Sequence, residues 1–263
     1  MSDIKVIDTH MHFGTDPNVA KYTLVPYLTP EDPSSVIRLL DEQNASHGVL
    51  FPHDRVMSPP WDADYDKANS QVGEAARMYP GRIIGVARIN PTFGADHTKN
   101  LIDKYVSEWN CQGIKLVAGY DFYRPNDMKI VGPMFEKAAE HNLTVLFHSG
   151  DPPRDLPSLQ ARAAKEFPDV NFILAHIGMH HYLWEAIAAC LDYENIFVDM
   201  AQAFPFDILT FIKEAGANRL TYGSDVPYQS PRIEQEKLKV LNLSEDELRL
   251  VLRENAVKIW GID

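Results

Sequence analysis

The chain has 263 residues, with 37 Asp and Glu against 25 Lys and Arg, and its formal net charge is −12. An acidic protein repels the phosphates of nucleic acids and of anionic lipids, so neither nucleic acid nor a membrane surface is an expected partner. The sequence contains no apolar run of the about 20 residues that span a bilayer, and its N-terminus lacks a signal peptide's basic and apolar regions. Two cysteines, Cys111 and Cys190, are too few for a disulfide framework. We therefore expect a cytoplasmic protein.

Eight short apolar runs, bounded by Gly, Pro, Asn or Asp, predict β-strands that are buried on both faces. They cover residues 5–12, 48–53, 83–90, 113–118, 144–149, 172–177, 196–200 and 220–224. Between these runs, residues 33–44, 135–141 and 183–191 have helical spacing, and Ser244 with Glu247 predicts a capping box at the start of the last helix.

Eight βα units predict a (β/α)8 barrel, the TIM barrel of the α/β class, in a single domain over residues 1–263. The alternative is an open doubly wound sheet, but no Gly-rich phosphate motif follows the first strand. Residues 56–66, which contain two prolines and Trp61, are predicted to form a loop over the site.

Two histidines, His10 and His12, end the first predicted strand. Residues two apart on a strand point the same way with Cα atoms about 6.6 Å apart, so both imidazoles can reach one metal ion. Asp8 has the same parity, and we expect it to accept a hydrogen bond from the far N–H of a histidine or from a polar group of the neighbouring strand.

Further polar residues end other strands of the predicted barrel. They are Lys115 on the fourth strand, His148 on the fifth, His176 on the sixth and Asp225 just after the eighth. Reacting groups of such barrels lie at the C-terminal ends of the strands, and buried imidazoles and carboxylates need a shared partner there. The combination predicts a metal site.

The motifs around these residues carry a family resemblance. Asp-Thr-His-Met-His at 8–12, Gly-Ile-Lys-Leu at 113–116, Phe-His-Ser-Gly at 147–150, Ala-His-Ile-Gly at 175–178, Gly-Ser-Asp at 223–225 and Glu-Asn-Ala at 254–256 occur in this order. The set resembles the amidohydrolase superfamily. It is similar to the amidohydrolase-related branch that includes enzymes of the aminocarboxymuconate-semialdehyde decarboxylase type.

The resemblance implies that His10, His12, His148 and Asp225 bind one divalent metal ion. It also implies that His176 contacts the reacting water or substrate, and that Asp225 takes a proton from the metal-activated water and returns it to the leaving group. Three imidazoles and a carboxylate suit zinc, and a donor set without thiolate also accepts manganese, cobalt or iron.

Lys115 has three interpretations. In binuclear members of the superfamily a carbamylated lysine from the fourth strand bridges two metal ions, and His176 would then bind the second. As an ammonium group, Lys115 could instead bind a substrate carboxylate. It could also be satisfied within the protein by Asp8 or a backbone carbonyl.

Other residues near the same ends are candidates for substrate contacts. His53 ends the second predicted strand, and His180 follows the sixth. Arg88 and Arg154 lie in or near loops on the reactive side, where a protein of charge −12 would need positive groups for an anionic substrate.

The leading functional prediction is a metal-dependent hydrolase in which a metal-activated water attacks a carbonyl of a small amide, cyclic amide or lactone. In that reaction Asp225 would move the proton and His176 would stabilise the oxyanion. The alternative is a decarboxylase or hydratase of a small carboxylic acid at the same site. A third hypothesis is a non-catalytic metal-binding barrel. The expected partner is a small-molecule substrate, and the sequence is compatible with a homo-oligomer.

Overall fold

Eight parallel strands, each paired with the next along the chain, form the centre of the protein. They are β1 (Val6–Phe13), β2 (Ala45–Pro52), β3 (Ile83–Arg88), β4 (Gly113–Leu116), β5 (Thr144–Phe147), β6 (Phe172–Leu174), β7 (Ile196–Asp199) and β8 (Leu220–Thr221). The structure, a computed structural model, describes residues 4–14, 32–53 and 64–262, so most of the predicted loop at 56–66 lies outside the described residues.

The ring of strands closes where β8 and the residues after it meet β1. Backbone N–H groups donate in both directions: Thr9 to the Tyr222 carbonyl at 3.0 Å, Asp225 to the His10 carbonyl at 2.8 Å, and His12 to the Val226 carbonyl at 2.8 Å. With helices outside the strands, the architecture is the predicted (β/α)8 barrel rather than an open sheet.

Helices follow the strands and cover the outside of the barrel. They are α1 (Ser34–Glu42), α2 (Asp66–Met78), α3 (Ala95–Trp109), α4 (Ala118–Asp121), α5 (Met128–Glu140), α6 (Pro157–Glu166), α7 (Leu183–Asp192), α8 (Pro205–Ala215), α9 (Pro231–Lys239), α10 (Glu245–Arg249) and α11 (Asn255–Trp260). The predicted helix at 135–141 is only the second half of α5, because Asp127 caps a start at Met128. The predicted capping box of Ser244 and Glu247 is confirmed. In the part of the chain that the structure describes, no helix is long and apolar enough to cross a membrane.

The barrel interior is apolar toward the N-terminal ends of the strands and polar at their C-terminal ends. Inward-facing side chains of the strands, including Ile7, Val86, Leu146 and Ile173, form one buried cluster with Trp260 of α11. Trp260 packs at the N-terminal end of the barrel, where a Cβ on Gly113 would lie 2.9 Å from its ring. The apolar layer leaves the C-terminal ends of the strands to the polar side chains.

Two strands, β6 and β8, end three residues before the predicted runs do, more than any other strand. β6 ends at Leu174 and β8 at Thr221. Soon after these ends the backbone turns left-handed, at His176 with φ 65° and at Asp225 with φ 56°. These turns take both side chains out of strand alternation, so their directions could not be derived from strand parity.

Trp109 at the end of α3 packs against Gly73 of α2. A Cβ on Gly73 would lie 2.6 Å from Cδ1 of the indole, whereas a Cβ on Gly132 of α5 would meet nothing within 4 Å. Both glycines are buried within helices, so they form a matched pair.

We expect Gly73→Ala to destabilise the protein by about 1–3 kcal/mol, because an overpacked core must shift to admit the methyl group. Gly132→Ala should stabilise it by up to about 1 kcal/mol through helix propensity. Urea unfolding of both variants measures the two free energies, and equal effects would contradict this packing.

Candidate metal centre

His10, His12 and Asp225 bring three metal-binding atoms together at the C-terminal end of the barrel. The Nε2 atoms of His10 and His12 are 3.3 Å apart. Oδ1 of Asp225 is 3.1 Å from Nε2 of His10 and 3.0 Å from Nε2 of His12. All three side chains are buried. A register shift in β1 between Asp8 and Met11 accompanies this arrangement.

These separations fit one divalent metal ion. Donor atoms about 2.1 Å from an ion are about 3.0 Å apart at right angles and about 3.4 Å apart at tetrahedral angles. The three atoms lie between 3.0 and 3.3 Å from one another. Two imidazole nitrogens and a carboxylate oxygen, buried and facing one point, are a donor set that a divalent cation satisfies.

Asp199, the last residue of β7, orients His10 and was missed in the sequence. Its Oδ2 lies 2.8 Å from Nδ1 of His10. Its Oδ1 accepts the backbone N–H groups of His176 at 3.1 Å and Ala201 at 3.0 Å. A proton on Nδ1 leaves the Nε2 lone pair of His10 for a metal. The one signal in the sequence is an acidic residue inside the apolar run Ile-Phe-Val-Asp-Met.

His12 is oriented in the same way by a backbone group. Its Nδ1 donates to the carbonyl of Pro52 at 3.1 Å, so its Nε2 also presents a lone pair toward Asp225. Asp8 has a different role: its Oδ1 accepts the backbone N–H groups of Ser224 at 2.9 Å and His10 at 3.3 Å. Of the two predicted roles for Asp8, support of the neighbouring strand is therefore confirmed, and Asp199 supports the histidine ring.

His176 lies between His10 and His148. Its ring centroid is 4.9 Å from that of His10, and its Nε2 is 3.2 Å from Nδ1 of His148. Nε2 of His148 in turn lies 2.8 Å from Oδ2 of Asp151. His148 thus lies next to His176, which separates it from His10. Its assignment as the fourth metal ligand stays a prediction.

The tautomer of His176 limits its chemistry. Its Nδ1 donates to the carbonyl of Ala201 at 3.0 Å, so in the uncharged ring Nε2 is an acceptor. Burial lowers the pKa of His176 to about 4, which leaves the ring uncharged at neutral pH. This state suits a metal ligand or proton acceptor, and lacks the inward N–H that stabilisation of an oxyanion requires.

The charges of His10 and Asp225 shift each other's pKa values in opposite directions. Burial alone lowers the pKa of His10, but the charges of Asp199 and Asp225 outweigh burial and raise this pKa to about 9. Burial acts to raise the pKa of Asp225, yet His10 and His12 hold it well below its usual range. Asp225 is therefore ionised at neutral pH. Because a metal must displace the proton of His10, its affinity is expected to rise with pH.

Lys115 lies close to the same group. It is fully buried on β4, and its Nζ is 4.8 Å from the centroid of the Phe51 ring. That ring is 5.0 Å from the ring of His10 and 4.7 Å from that of His12. The Lys115 charge acts to lower the pKa of His10, so cation and donors share one electrostatic environment.

The two other predicted contact histidines are placed differently. His53 stacks on His12 with a centroid distance of 5.6 Å, and its Nδ1 is 3.2 Å from the hydroxyl of Tyr228. His180 faces away from the donors: its Nδ1 lies 3.0 and 2.9 Å from the two carboxylate oxygens of buried Asp207. The structure thus brings His53 to the site and leaves His180 in the loop after β6, half exposed.

Arg88, predicted to lie in or near a loop on the reactive side, is the fully buried last residue of β3. It pairs with Asp121 at 3.0 Å and donates to the hydroxyl of Tyr65 at 3.1 Å. The side chain has strand parity with inward-facing Val86, which explains its burial.

Comparison with known proteins identifies the family. A model of the amidohydrolase family matches residues 7–262. The chain belongs to the amidohydrolase family. A search of curated proteins found no match.

Solved structures with the same fold include decarboxylases. The chain is 13% identical to 5-carboxyvanillate decarboxylase from Sphingomonas paucimobilis, with a TM-score of 0.75 over 99% of this chain and 100% of that one. It is 14% identical to 2,6-dihydroxybenzoate decarboxylase from Rhizobium, with a TM-score of 0.78 over 98% and 99%. A 5-carboxyvanillate decarboxylase from Novosphingobium aromaticivorans, complexed with manganese and 4-hydroxy-3-methoxy-5-nitrobenzoic acid, is 14% identical, with a TM-score of 0.74 over 99% and 97%. At these identities the likeness shows the fold.

We expect Asp199→Asn to weaken binding of Mn²⁺ or Zn²⁺ by about 10- to 100-fold, because the amide no longer fixes the tautomer and charge of His10. Calorimetric titration of the folded variant with each metal measures the effect. Asp207→Asn, which alters the carboxylate at His180, is the matched control and should bind metal like the wild type. Unchanged affinity in Asp199→Asn would contradict the orienting role.

Proposed function

We propose that the protein is a metal-dependent lyase that decarboxylates a small carboxylic acid. The observation that carries this proposal is the fully buried side chain of Lys115 beside the His10, His12 and Asp225 group. The solved decarboxylases that share the fold support the same reaction class.

Positive charge at the centre, from Lys115 and a bound metal, would favour an anionic substrate over a neutral one. Asp199 and Asp225 are buried carboxylates whose pKa values lie below the usual range, although burial acts to raise both. An acid entering this environment needs local positive charge, which Lys115 and a bound metal would supply. A neutral amide or lactone has no such need. Arg88 pairs with Asp121, whereas Lys115 lies beside the donor group, so we assign the substrate carboxylate to Lys115.

The metal would be held by His10, His12 and Asp225, with His148 as the predicted fourth ligand. When bound, a divalent metal supplies Lewis-acid chemistry that draws electron density from a substrate oxygen. Nitrogen and oxygen donors suit both zinc and manganese, and the manganese in the Novosphingobium aromaticivorans structure supports manganese as well as the zinc expected from the sequence.

Three side chains have separate roles in the proposed reaction: Lys115 binds the carboxylate, Asp225 transfers the proton and His176 orients the substrate. Lys115 holds the carboxylate while the bond between it and the adjacent carbon breaks, CO₂ leaves, and the electron pair stays on that carbon. Asp225, ionised at neutral pH, accepts a proton from a substrate hydroxyl and delivers it to the carbon, and solvent replaces the hydroxyl proton. Uncharged His176 accepts through Nε2 a hydrogen bond from a second O–H or N–H of the substrate, and so orients the substrate without competing for the proton that Asp225 accepts.

The reaction is tested with metal-loaded protein on two substrate panels of similar size. The acids include 2,6-dihydroxybenzoate, 5-carboxyvanillate and muconate-type acids; the neutral compounds are amides, cyclic amides and lactones. We expect release of CO₂ from an acid, with about one metal ion per chain by elemental analysis. Hydrolysis of a neutral compound without CO₂ release from any acid would instead support the hydrolase. Two ions per chain, dependent on bicarbonate, would make Lys115 a carbamylated bridge.

Lys115→Met should raise KM for the acid by about 10- to 100-fold, because it removes a charge-assisted hydrogen bond worth about 1.5–3 kcal/mol. Folding should persist, since methionine fills a similar volume without a buried charge. The matched control is Lys258→Met, because Lys258 also lies over an aromatic ring, 5.6 Å from that of Phe197, but belongs to α11 at the opposite end of the barrel. An unchanged KM in Lys115→Met would argue against Lys115 as the carboxylate site.

A further inference from the structure

Gln202, three residues after the end of β7, contacts the metal-binding carboxylate from its second side. Its side-chain amide donates to Oδ2 of Asp225, while Oδ1 of the same carboxylate faces His10 and His12. We propose that Gln202 is a positioning residue that fixes the rotation of Asp225 and commits its Oδ1 to the metal. This inference rests on the metal centre of the proposed function, and concerns metal binding rather than the reaction.

The donor in this contact is the amide nitrogen of Gln202, since its Nε2 atom faces Oδ2 of Asp225. A carboxylate that binds a metal carries no proton and only accepts hydrogen bonds, so the amide nitrogen of Gln202, not its oxygen, must face it. A carboxylate held by histidines at one oxygen can still turn about its Cβ–Cγ bond and offer the other oxygen. A donor on Oδ2 opposes this rotation, as groups behind metal ligands commonly do.

The backbone around Gln202 is held on both sides. Ala201 donates its N–H to Asp199 at 3.0 Å and accepts from Nδ1 of His176 at 3.0 Å. Ala203 donates to the carbonyl of Met200 at 3.0 Å. The backbone N–H of Gln202 itself interacts with Glu234, a fully buried residue of α9. The side chain therefore starts from a fixed point beside the centre.

The conformation of Gln202 is itself unusual for its residue type. Its φ of 61° is left-handed, a region that glycine and asparagine adopt more readily than glutamine. The side chain is exposed and fills no core, so packing does not explain a glutamine here. The contact with Asp225 does: the amide of Gln202 reaches Oδ2, and asparagine, one methylene shorter, would hold the same amide farther from that oxygen.

Gln202→Asn is therefore the informative variant, with Gln202→Leu as a second one that keeps side-chain size and removes the donor. Gln235→Asn is the matched control, because Gln235 of α9 donates to the carbonyl of Gln43 at 3.0 Å and does not contact Asp225. The probe is Mn²⁺ alone, titrated into metal-free protein while electron paramagnetic resonance measures the unbound ion.

We expect both Gln202 variants to bind Mn²⁺ about 10- to 100-fold more weakly than the wild type, and Gln235→Asn to bind it equally well. The metal-free melting temperature of Gln202→Asn should equal or exceed that of the wild type, because asparagine tolerates a positive φ. The visible spectrum of the Co²⁺-loaded protein, which reports coordination geometry, should change in Gln202→Asn and not in the control.

Wild-type affinity in both Gln202 variants would overturn the proposal, and so would a loss of affinity matched by Gln235→Asn. Failure of the decarboxylase proposal is separate, because Mn²⁺ affinity is measured without substrate. If the wild type releases no CO₂ but the Gln202 variants still bind Mn²⁺ weakly, the positioning role holds and only the reaction is wrong. A wild type that binds neither Mn²⁺ nor Zn²⁺ would overturn both.

Discussion

The buried carboxylate of Asp199 is the interaction on which the site depends. It connects three strand ends, since it accepts N–H groups from the His10 ring on β1, from the backbone after β6 and from the backbone after β7. A buried charge without such partners would cost several kcal/mol, so the three donors and the carboxylate stabilise one another. The same contact fixes the tautomer of His10 and the path of the loop that carries Gln202.

The hydrogen bonds that close the barrel also bring the residues of the metal centre together. β8 is only two residues long, and the backbone hydrogen bonds to β1 are made by the residues that follow it, Tyr222, Asp225 and Val226. His10 and Asp225 therefore meet because the first and last strands meet. Below them, inward-facing aliphatic side chains fill the barrel and exclude water, which strengthens each charge interaction in the layer above.

The protein has a net charge of −12, yet its proposed reaction needs positive charge at one place. The barrel supplies it locally, with Lys115 on β4 opposite the carboxylates of β7 and of the segment after β8. Arg88 was another cation proposed for an anionic substrate, but it pairs with Asp121 and lies over the ring of Tyr65. The net charge thus disfavours anionic macromolecules as partners, whereas binding of a small substrate depends on the charges of single buried groups.

The sequence by itself predicted the barrel and the meeting of His10, His12 and Asp225 at one end of it, because eight apolar runs and short motifs at their ends are local properties of the chain. It did not reveal Asp199 or Gln202, which have no motif and act only through residues far away in the chain. The tautomer of His176 and the separate position of His180 were likewise decided by the tertiary structure. Left-handed backbone at His176 and at His180, both after β6, sets the directions of these two side chains, and the alternation of a strand does not encode them.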